Sequence, residues 1–123
     1  MLPITSMVAA LAAISLIALS LPVSLLRMKV GTEIGVGDDP ALLRRIRAQG
    51  NFVEYVPLGL ILLGLAEHRQ VATALLWTIA ALLVIGRALH AAGMLSGLTP
   101  VRAAGMVTTY GALLAGAGAL VIQ

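Results

Sequence analysis

Residues 44–57 read RRIRAQGNFVEYVP and open an apolar segment that continues to about residue 66. Within this stretch, Arg47, Asn51 and Glu54 have the i, i+4 and i+7 spacing that places side chains on one face of an α-helix. Charged and amide groups are costly inside an apolar helix unless polar partners meet them. The stretch therefore predicts a helix with one polar face, and we expect the rest of the chain to supply polar surroundings for it.

The composition of the chain indicates an integral membrane protein. Of its 123 residues, 60% are hydrophobic and 11% are charged, and the mean hydropathy is +1.05. Soluble domains carry about 25% charged residues. Because so few charged groups cannot cover a soluble surface, we expect membrane-spanning helices. The length predicts a single transmembrane domain over residues 1–123.

Apolar segments separated by polar connections predict four transmembrane helices. The helices are expected at about residues 4–26, 41–66, 71–94 and 101–121. The first segment lacks the basic leader of a signal peptide, so we read it as a retained helix that Arg27 and Lys29 end. Asp38 or Asp39 can cap the second helix, with Pro40 in its first turn. Short connections predict an all-α up-down bundle with both termini on one side.

Polar stretches supply the three predicted connections. They are VGTEIGVGDDP at residues 30–40, EHRQ at residues 67–70 and SGLTP at residues 96–100. Glycine, proline and acidic residues are typical of such solvated loops and turns. In helix 4, the run GALLAGAGA contains the small-residue pairs Gly111/Ala115 and Ala112/Gly116, which favour close helix packing in lipid. This packing could lie within one chain or between subunits.

The distribution of basic residues predicts the orientation. Of the eight lysines and arginines, only Arg69 lies at the end of the bundle that carries the second connection. The positive-inside rule therefore places loops 1 and 3 in the cytoplasm and both termini outside it, in a bacterial inner membrane. Arg44 and Arg45 are predicted to anchor at lipid headgroups. Because topology explains the basic residues, we expect no nucleic-acid partner despite the net charge of +3.

Polar residues from all four predicted helices converge on the cytoplasmic third of the bundle. At a rise of about 1.5 Å per residue, Arg27, Arg87, His90 and Arg102 reach the depth of Glu54 or lie closer to the boundary. An intramembrane carboxylate is expected to pair with a cation, and Arg87 is the expected partner of Glu54. Arg27 could instead be a topology anchor, and His90 could be a hydrogen-bonded interfacial residue.

The polar residue types indicate the class of ligand. Several arginines, a carboxylate and an amide suit a ligand with more than one carboxylate and an amine, because guanidinium groups grip carboxylates in pairs of hydrogen bonds. The sequence contains no catalytic triad, phosphate-binding loop or metal-ligand set, so no metal is expected. It also contains no cysteine. Any thiol chemistry must therefore use a thiol carried by the ligand.

The polar stretch resembles the signature of a known family. The pattern R-A-Q-x-N-x-x-E-Y-x-P is formed by Arg47, Ala48, Gln49, Asn51, Glu54, Tyr55 and Pro57. This pattern is similar to that of the MAPEG family, the membrane-associated proteins in eicosanoid and glutathione metabolism. A basic residue at the end of helix 1 (Arg27), Arg87 with His90 in helix 3, and R-x-x-G opening helix 4 (Arg102, Gly105) extend the resemblance. The length matches the small bacterial members.

The resemblance implies a homotrimer that binds glutathione, as a co-substrate, between neighbouring subunits and facing the cytoplasm. It implies a binding site formed by Arg27, Arg47, Gln49, Asn51, Glu54, Tyr55, Arg87 and His90. Arg102 corresponds to the arginine that stabilises the glutathione thiolate in catalytic members. The eicosanoid enzymes carry tyrosines on helix 3 where this chain has His90 and Met94, which argues against an eicosanoid substrate.

Three functions are therefore considered. The first is a microsomal-type glutathione transferase or peroxidase acting on a lipophilic electrophile dissolved in the bilayer. The second is a non-catalytic glutathione- or lipid-binding member of the family. The third is a small multidrug transporter with an intramembrane glutamate, which the strong charge bias and the lack of an acid in helix 1 argue against.

Overall fold

The computed structural model describes residues 1–122 as four long α-helices joined by short loops. The helices are α1 (Pro3–Val30), α2 (Pro40–His68), α3 (Thr73–Ser96) and α4 (Thr99–Ile122). The shorter ones have 24 residues, or about 36 Å, and a membrane core is about 30 Å thick. All four are also apolar enough to cross a membrane. This confirms the predicted all-α architecture of four potential membrane spans.

The end of α1 differs from the prediction. The helix continues past Arg27 and Lys29 to Val30, so the expectation that these charges end it is wrong. It stops at Gly31, whose φ of 76° is left-handed and whose backbone N–H donates to the carbonyl of Arg27 at 2.9 Å. Glycine adopts this conformation at little cost because it has no Cβ. Long basic side chains extend to the interface without ending a helix.

Both ends of α2 are defined by polar contacts. At its start, the Asp39 carboxylate accepts a hydrogen bond from the Leu42 backbone N–H at 3.0 Å, so Asp39 rather than Asp38 is the cap. At its end, the helix reaches His68, whereas the sequence predicted that Glu67 and His68 belong to a turn. The turn begins at the next residue and includes Gln70, with a φ of 58°.

Contacts between helix ends establish the up-down arrangement. Arg45 near the start of α2 donates to the Pro22 carbonyl of α1 at 3.1 Å. Arg69 after the end of α2 donates to the Leu120 carbonyl of α4 at 2.8 Å. Loops 1 and 3 therefore lie at one end of the bundle, and loop 2 lies at the other end with the start of α1 and the end of α4. The Arg45 contact also shows that this residue binds a protein carbonyl, not only lipid headgroups as predicted.

The apolar core occupies the half of the bundle nearer loop 2. Its members come from all four helices and include Ile4, Val8, Leu63, Ala66, Leu76, Ile79, Leu83, Ala112 and Ala119. The buried Glu67 closes this end, because Oε1 accepts from the Ile4 N–H and Oε2 from the Thr5 N–H, both at 2.8 Å. The first N–H groups of a helix have no partner within it. Glu67 therefore caps α1 from a different helix.

Glycines set the separation of α3 and α4. A Cβ placed on Gly86 would lie 2.6 Å from Thr109 Oγ1, and one placed on Gly105 would lie 2.7 Å from His90 Cα. Such distances are too short for real contacts, so these positions require glycine. In the second half of α4, a Cβ on Gly116 would lie 3.0 Å from Leu62 of α2. The Ala112/Gly116 pair is thus buried by packing within the chain.

Candidate functional site

Arg87 of α3 lies at the centre of a buried polar network. Its Nε and Nη2 donate to Thr109 Oγ1 at 3.1 and 2.7 Å, and Nη2 also contacts Met106 Sδ at 3.6 Å. Its Nη1 donates to the Asn51 carbonyl at 3.3 Å and to Asn51 Oδ1. A guanidinium group has five N–H donors. These contacts use all of them, and they tie α3 to both α2 and α4.

Thr109 is a site residue that the sequence analysis missed. Its side chain is fully buried, accepts from Arg87, and donates to the Gly105 carbonyl at 2.8 Å. A threonine in an apolar helix commonly bonds its own preceding turn, so the sequence carries no signal that distinguishes it. The close approach of α3 and α4 is what brings Thr109 to Arg87.

Two tyrosines extend the network towards the surface. The Arg87 guanidinium carbon lies 5.5 Å from the centre of the Tyr55 ring, a distance at which a cation attracts an aromatic face. The Tyr55 and Tyr110 rings meet edge to face with centroids 5.8 Å apart, and their hydroxyl oxygens are 3.4 Å apart. Tyr110 of α4 was not among the predicted site residues, although its i+8 spacing from Arg102 repeats that of Tyr55 from Arg47.

Glu54 pairs with Arg47, not with Arg87 as predicted. Arg47 Nη1 lies 3.6 Å from Glu54 Oε1, and both side chains are about half exposed, at 49% and 50%. Glu54 is offset from Asn51 by about 60° around the axis of α2, so Asn51 is buried against α3 while Glu54 stays at the edge of the same face. Within residues 1–122 the polar face thus divides, with Asn51 buried and the two charged side chains open to the outside.

The other predicted site residues are distributed around this cluster. Arg27 donates from Nη1 to the carbonyls of Gly35 at 2.6 Å and Thr32 at 3.3 Å, so within one chain it holds loop 1. Gln49 is half-buried beside the cluster, and Arg102 is exposed at the start of α4, with Nη1 3.9 Å from Met94 Sδ. His90 is buried with its backbone against Gly105.

An apolar cavity of about 360 Å³ lies between α1, α2 and α3 on the other side of Arg87. Its walls include Leu11, Ser15, Phe52, Val56 and Leu83. The cavity is large enough for part of a lipophilic molecule and lies next to the polar network. Elsewhere, residues 1–122 contain no group of three or more histidine, cysteine, aspartate or glutamate side chains placed to hold a metal ion.

A known family and two curated proteins have sequences similar to this chain. The sequence model of the MAPEG family matches residues 5–122, almost the whole chain. The chain belongs to the MAPEG family. The inner membrane protein YecN of Escherichia coli strain K12 is similar to it, with 32% identity over 111 residues that cover 90% of this chain and 85% of the relative. The YecN protein of Escherichia coli strain CFT073 matches with the same identity and coverage.

Membership of the MAPEG family bears on the three predicted functions. It confirms the resemblance of the polar stretch and accounts for the four apolar helices as membrane spans. The family match favours the two MAPEG functions over the multidrug-transporter alternative, which rested on helix number and an intramembrane glutamate.

Proposed function

We propose that this MAPEG protein is a glutathione transferase or peroxidase acting on lipophilic electrophiles, assembled as a homotrimer with glutathione between subunits. The observation that carries the proposal is the Arg47–Glu54 pair, which is half exposed on the single chain although it lies in a membrane span. On a single chain the exposed half of this pair would face lipid, which is costly for charged groups even when they pair with each other. In the proposed trimer a neighbouring subunit and a zwitterionic ligand cover the pair instead.

The polar residues of α2 suit the groups that glutathione carries. Arg47 binds a carboxylate, Glu54 binds the ammonium group, and Asn51, Gln49 and Tyr55 provide neutral hydrogen bonds. In the proposed trimer, the Arg27 side chain of a neighbouring copy reaches a glutathione carboxylate.

Arg102 is the proposed activating group. A free thiol has a pKa of about 8.5, and a nearby cation lowers that value and raises the thiolate fraction at neutral pH. The thiolate sulfur attacks the electrophilic carbon, and the leaving group departs with its electron pair. With a hydroperoxide, the thiolate attacks oxygen, the alcohol leaves, and a further glutathione yields the disulfide and water. The exposed position of Arg102 favours direct contact with such a thiolate.

The apolar cavity supports a lipophilic second substrate. It is lined by α1, α2 and α3 and contacts the polar network only through Arg87. A substrate dissolved in the bilayer enters such a cavity without crossing an aqueous loop. The basic residues near loops 1 and 3 support a cytoplasmic glutathione side, and the Escherichia coli relatives support a bacterial inner membrane.

A binding-only role is the second candidate. The observation that favours it is that α3 carries no tyrosine and presents His90 and Met94 near the site instead. Met94 contacts the Arg102 guanidinium at 3.9 Å, so a thioether occupies one side of the proposed activating group. A protein of this kind would bind glutathione without raising its thiolate fraction.

One titration tests both candidates. We expect purified protein in detergent to bind glutathione at millimolar concentration or below and to show the ultraviolet absorbance of the thiolate. Arg102→Ala should keep binding and lose most of the thiolate signal, and Glu54→Ala should weaken binding at least tenfold through the lost ammonium contact. Arg69→Ala and Glu33→Ala are matched controls, because they remove the same charges at loop 2 and in loop 1.

The outcomes separate the possibilities. Absence of glutathione binding by the wild-type protein contradicts the proposed function. Binding without a thiolate signal supports the binding-only role. Sedimentation in matched-density detergent measures the oligomeric state, and a monomer that binds glutathione with full affinity excludes a site shared between subunits.

A further inference from the structure

We infer that Arg87 is a positioning residue: together with Thr109 it fixes the Asn51 side chain so that the Asn51 amide NH₂ group donates to an anionic group of the bound ligand. This inference rests on the proposed glutathione site and describes how that site is held. Thr109 then has a role in ligand binding, and Arg87 holds Asn51 in position instead of contacting the ligand itself.

First, all five N–H donors of Arg87 already have acceptors within the protein. Its donors contact Thr109, Met106 and Asn51, and each N–H has a protein acceptor. A carboxylate ligand could bind Arg87 only by displacing one of these buried acceptors, which would leave a polar atom unsatisfied.

The second step is the fixed position of Thr109. Its Oγ1 accepts from two Arg87 nitrogens and donates to Gly105, so the hydroxyl orientation is determined. Gly86 and Gly105 permit this geometry, since a Cβ at either position would overlap the opposite helix. Thr109 has no exposed surface, so a ligand at the surface would not contact it. Its effect on binding must therefore pass through Arg87.

The third step is the orientation of the Asn51 amide. Because Oδ1 accepts from Arg87, the planar amide directs Nδ2 away from the guanidinium. Within residues 1–122, no acceptor meets that nitrogen. Asn51 lies between Arg47 and Glu54 along α2, which are the proposed carboxylate and ammonium contacts. A ligand oxygen bound beside Arg47 is the acceptor that this NH₂ group fits.

The same guanidinium also sets the Tyr55 ring. It lies over the ring face at 5.5 Å, so the aromatic side chain and the Asn51 amide are held by one group. A change at Thr109 is thus expected to disturb two ligand contacts on α2 from a position on α4.

The matched pair Thr109→Val and Thr109→Ser tests the inference. Valine keeps the shape but removes the hydroxyl acceptor, whereas serine keeps it. By isothermal titration calorimetry, we expect the glutathione Kd to rise about tenfold in Thr109→Val and to return to within about twofold of the wild-type value in Thr109→Ser. An unchanged Kd in Thr109→Val overturns the role of Thr109.

Asn51→Asp separates the two functions of Asn51. The carboxylate still accepts from Arg87, so the unfolding temperature should be equal to or above that of the wild type. It offers no donor and repels an anionic group, so the glutathione Kd should rise about a hundredfold. Wild-type affinity in Asn51→Asp overturns the inference.

The binding results distinguish failure of the proposed function from failure of the positioning role. Failure of the wild-type protein to bind glutathione contradicts the proposed function itself, whereas wild-type binding that Thr109→Val and Asn51→Asp leave unchanged contradicts only the positioning role. A lower unfolding temperature in Asn51→Asp together with weaker binding indicates a structural defect and also counts against positioning.

Discussion

The two halves of α2 each bury a polar side chain, and they satisfy it in different ways. Near loop 2, both carboxylate oxygens of Glu67 accept backbone N–H groups from the start of α1. Near loop 1, Asn51 Oδ1 is held by Arg87, while the Arg47–Glu54 pair beside it stays half exposed. A polar group fully satisfied by its own chain stabilises the fold. Polar groups left partly open are available to a ligand or a second subunit.

This comparison teaches that burial alone does not identify a site in a membrane protein. Glu67 is more buried than Glu54, yet its partners are backbone groups that any helix start exposes. Glu54 lies in the same helix, and within residues 1–122 its only salt-bridge partner is Arg47 of that helix. Stability and binding measurements on variants should therefore distinguish the structural role of Glu67 from the proposed binding role of Arg47 and Glu54.

The largest effect is expected from Gly105→Ala. The added Cβ would meet the His90 backbone, with Cα at 2.7 Å, so α3 and α4 must separate and Thr109 must move from Arg87. We expect a loss of about 3 kcal/mol in unfolding free energy and weaker glutathione binding, measured by circular dichroism melting and calorimetry. Gly118→Ala is the control, because nothing lies within 4 Å of its Cβ, and it should leave binding unchanged. Equal behaviour of the two variants would refute the close-packing account.

The next effect is that of Glu67→Ala. Removal of the carboxylate leaves the Ile4 and Thr5 N–H groups without acceptors, and we expect a loss of about 2 kcal/mol in unfolding free energy. Glutathione affinity should stay within about twofold of the wild-type value, since the other end of α2 is unaltered. Glu67→Gln retains an acceptor and should recover part of the stability. A large loss of affinity at unchanged stability would assign Glu67 to the functional site instead.

The opposite pattern is expected of Arg47→Met. The half-exposed pair with Glu54 contributes about 0–1 kcal/mol to stability, so the melting curve should change little. Glutathione binding should weaken at least tenfold because a carboxylate contact is lost. Arg44→Met, one turn earlier on the exposed surface, serves as the control and should bind as the wild type does. Wild-type affinity in Arg47→Met would remove Arg47 from the proposed site.

The smallest effect is that of Tyr110→Phe. The two tyrosine hydroxyls lie 3.4 Å apart, a long hydrogen bond at a partly exposed position. We expect the unfolding temperature to change by less than about 2 °C and the glutathione Kd by less than about twofold. A larger change in Kd than in unfolding temperature would add Tyr110 to the ligand contacts.

Much of the fold follows from the sequence because lipid imposes simple rules. A span must satisfy its backbone internally and expose apolar side chains, so the four helices are visible from composition and length. Their ends are less predictable. The charges at Arg27 and Lys29 were expected to stop α1, but the left-handed Gly31 stops it. Glu67 was expected in a turn because its acceptor role depends on α1, which is distant in sequence.

The candidate site, like the fold, was predictable where it depends on local sequence and unpredictable where it depends on contacts between helices. The i, i+4, i+7 spacing of Arg47, Asn51 and Glu54 predicted a polar face on α2 from local periodicity alone. Periodicity within one helix does not show which side chains on different helices will pair. The sequence analysis therefore paired Glu54 with Arg87 because their charges are opposite. The structure pairs Arg87 with neutral Asn51 and Thr109, because the rotation of α2 and the glycine contacts of α3 and α4 decide which side chains meet.

The sequence by itself determined a four-helix membrane protein with a polar stretch at residues 44–57, because hydropathy, charge bias and helical spacing are local properties of the chain. Only the tertiary structure decided which polar groups are saturated and which stay open. That division arises where α2, α3 and α4 meet, since hydrogen-bond partners in an apolar bundle are set by helix rotation and separation. The donors of Arg87 are satisfied by acceptors of its own chain, whereas Arg47 and Glu54 remain half exposed.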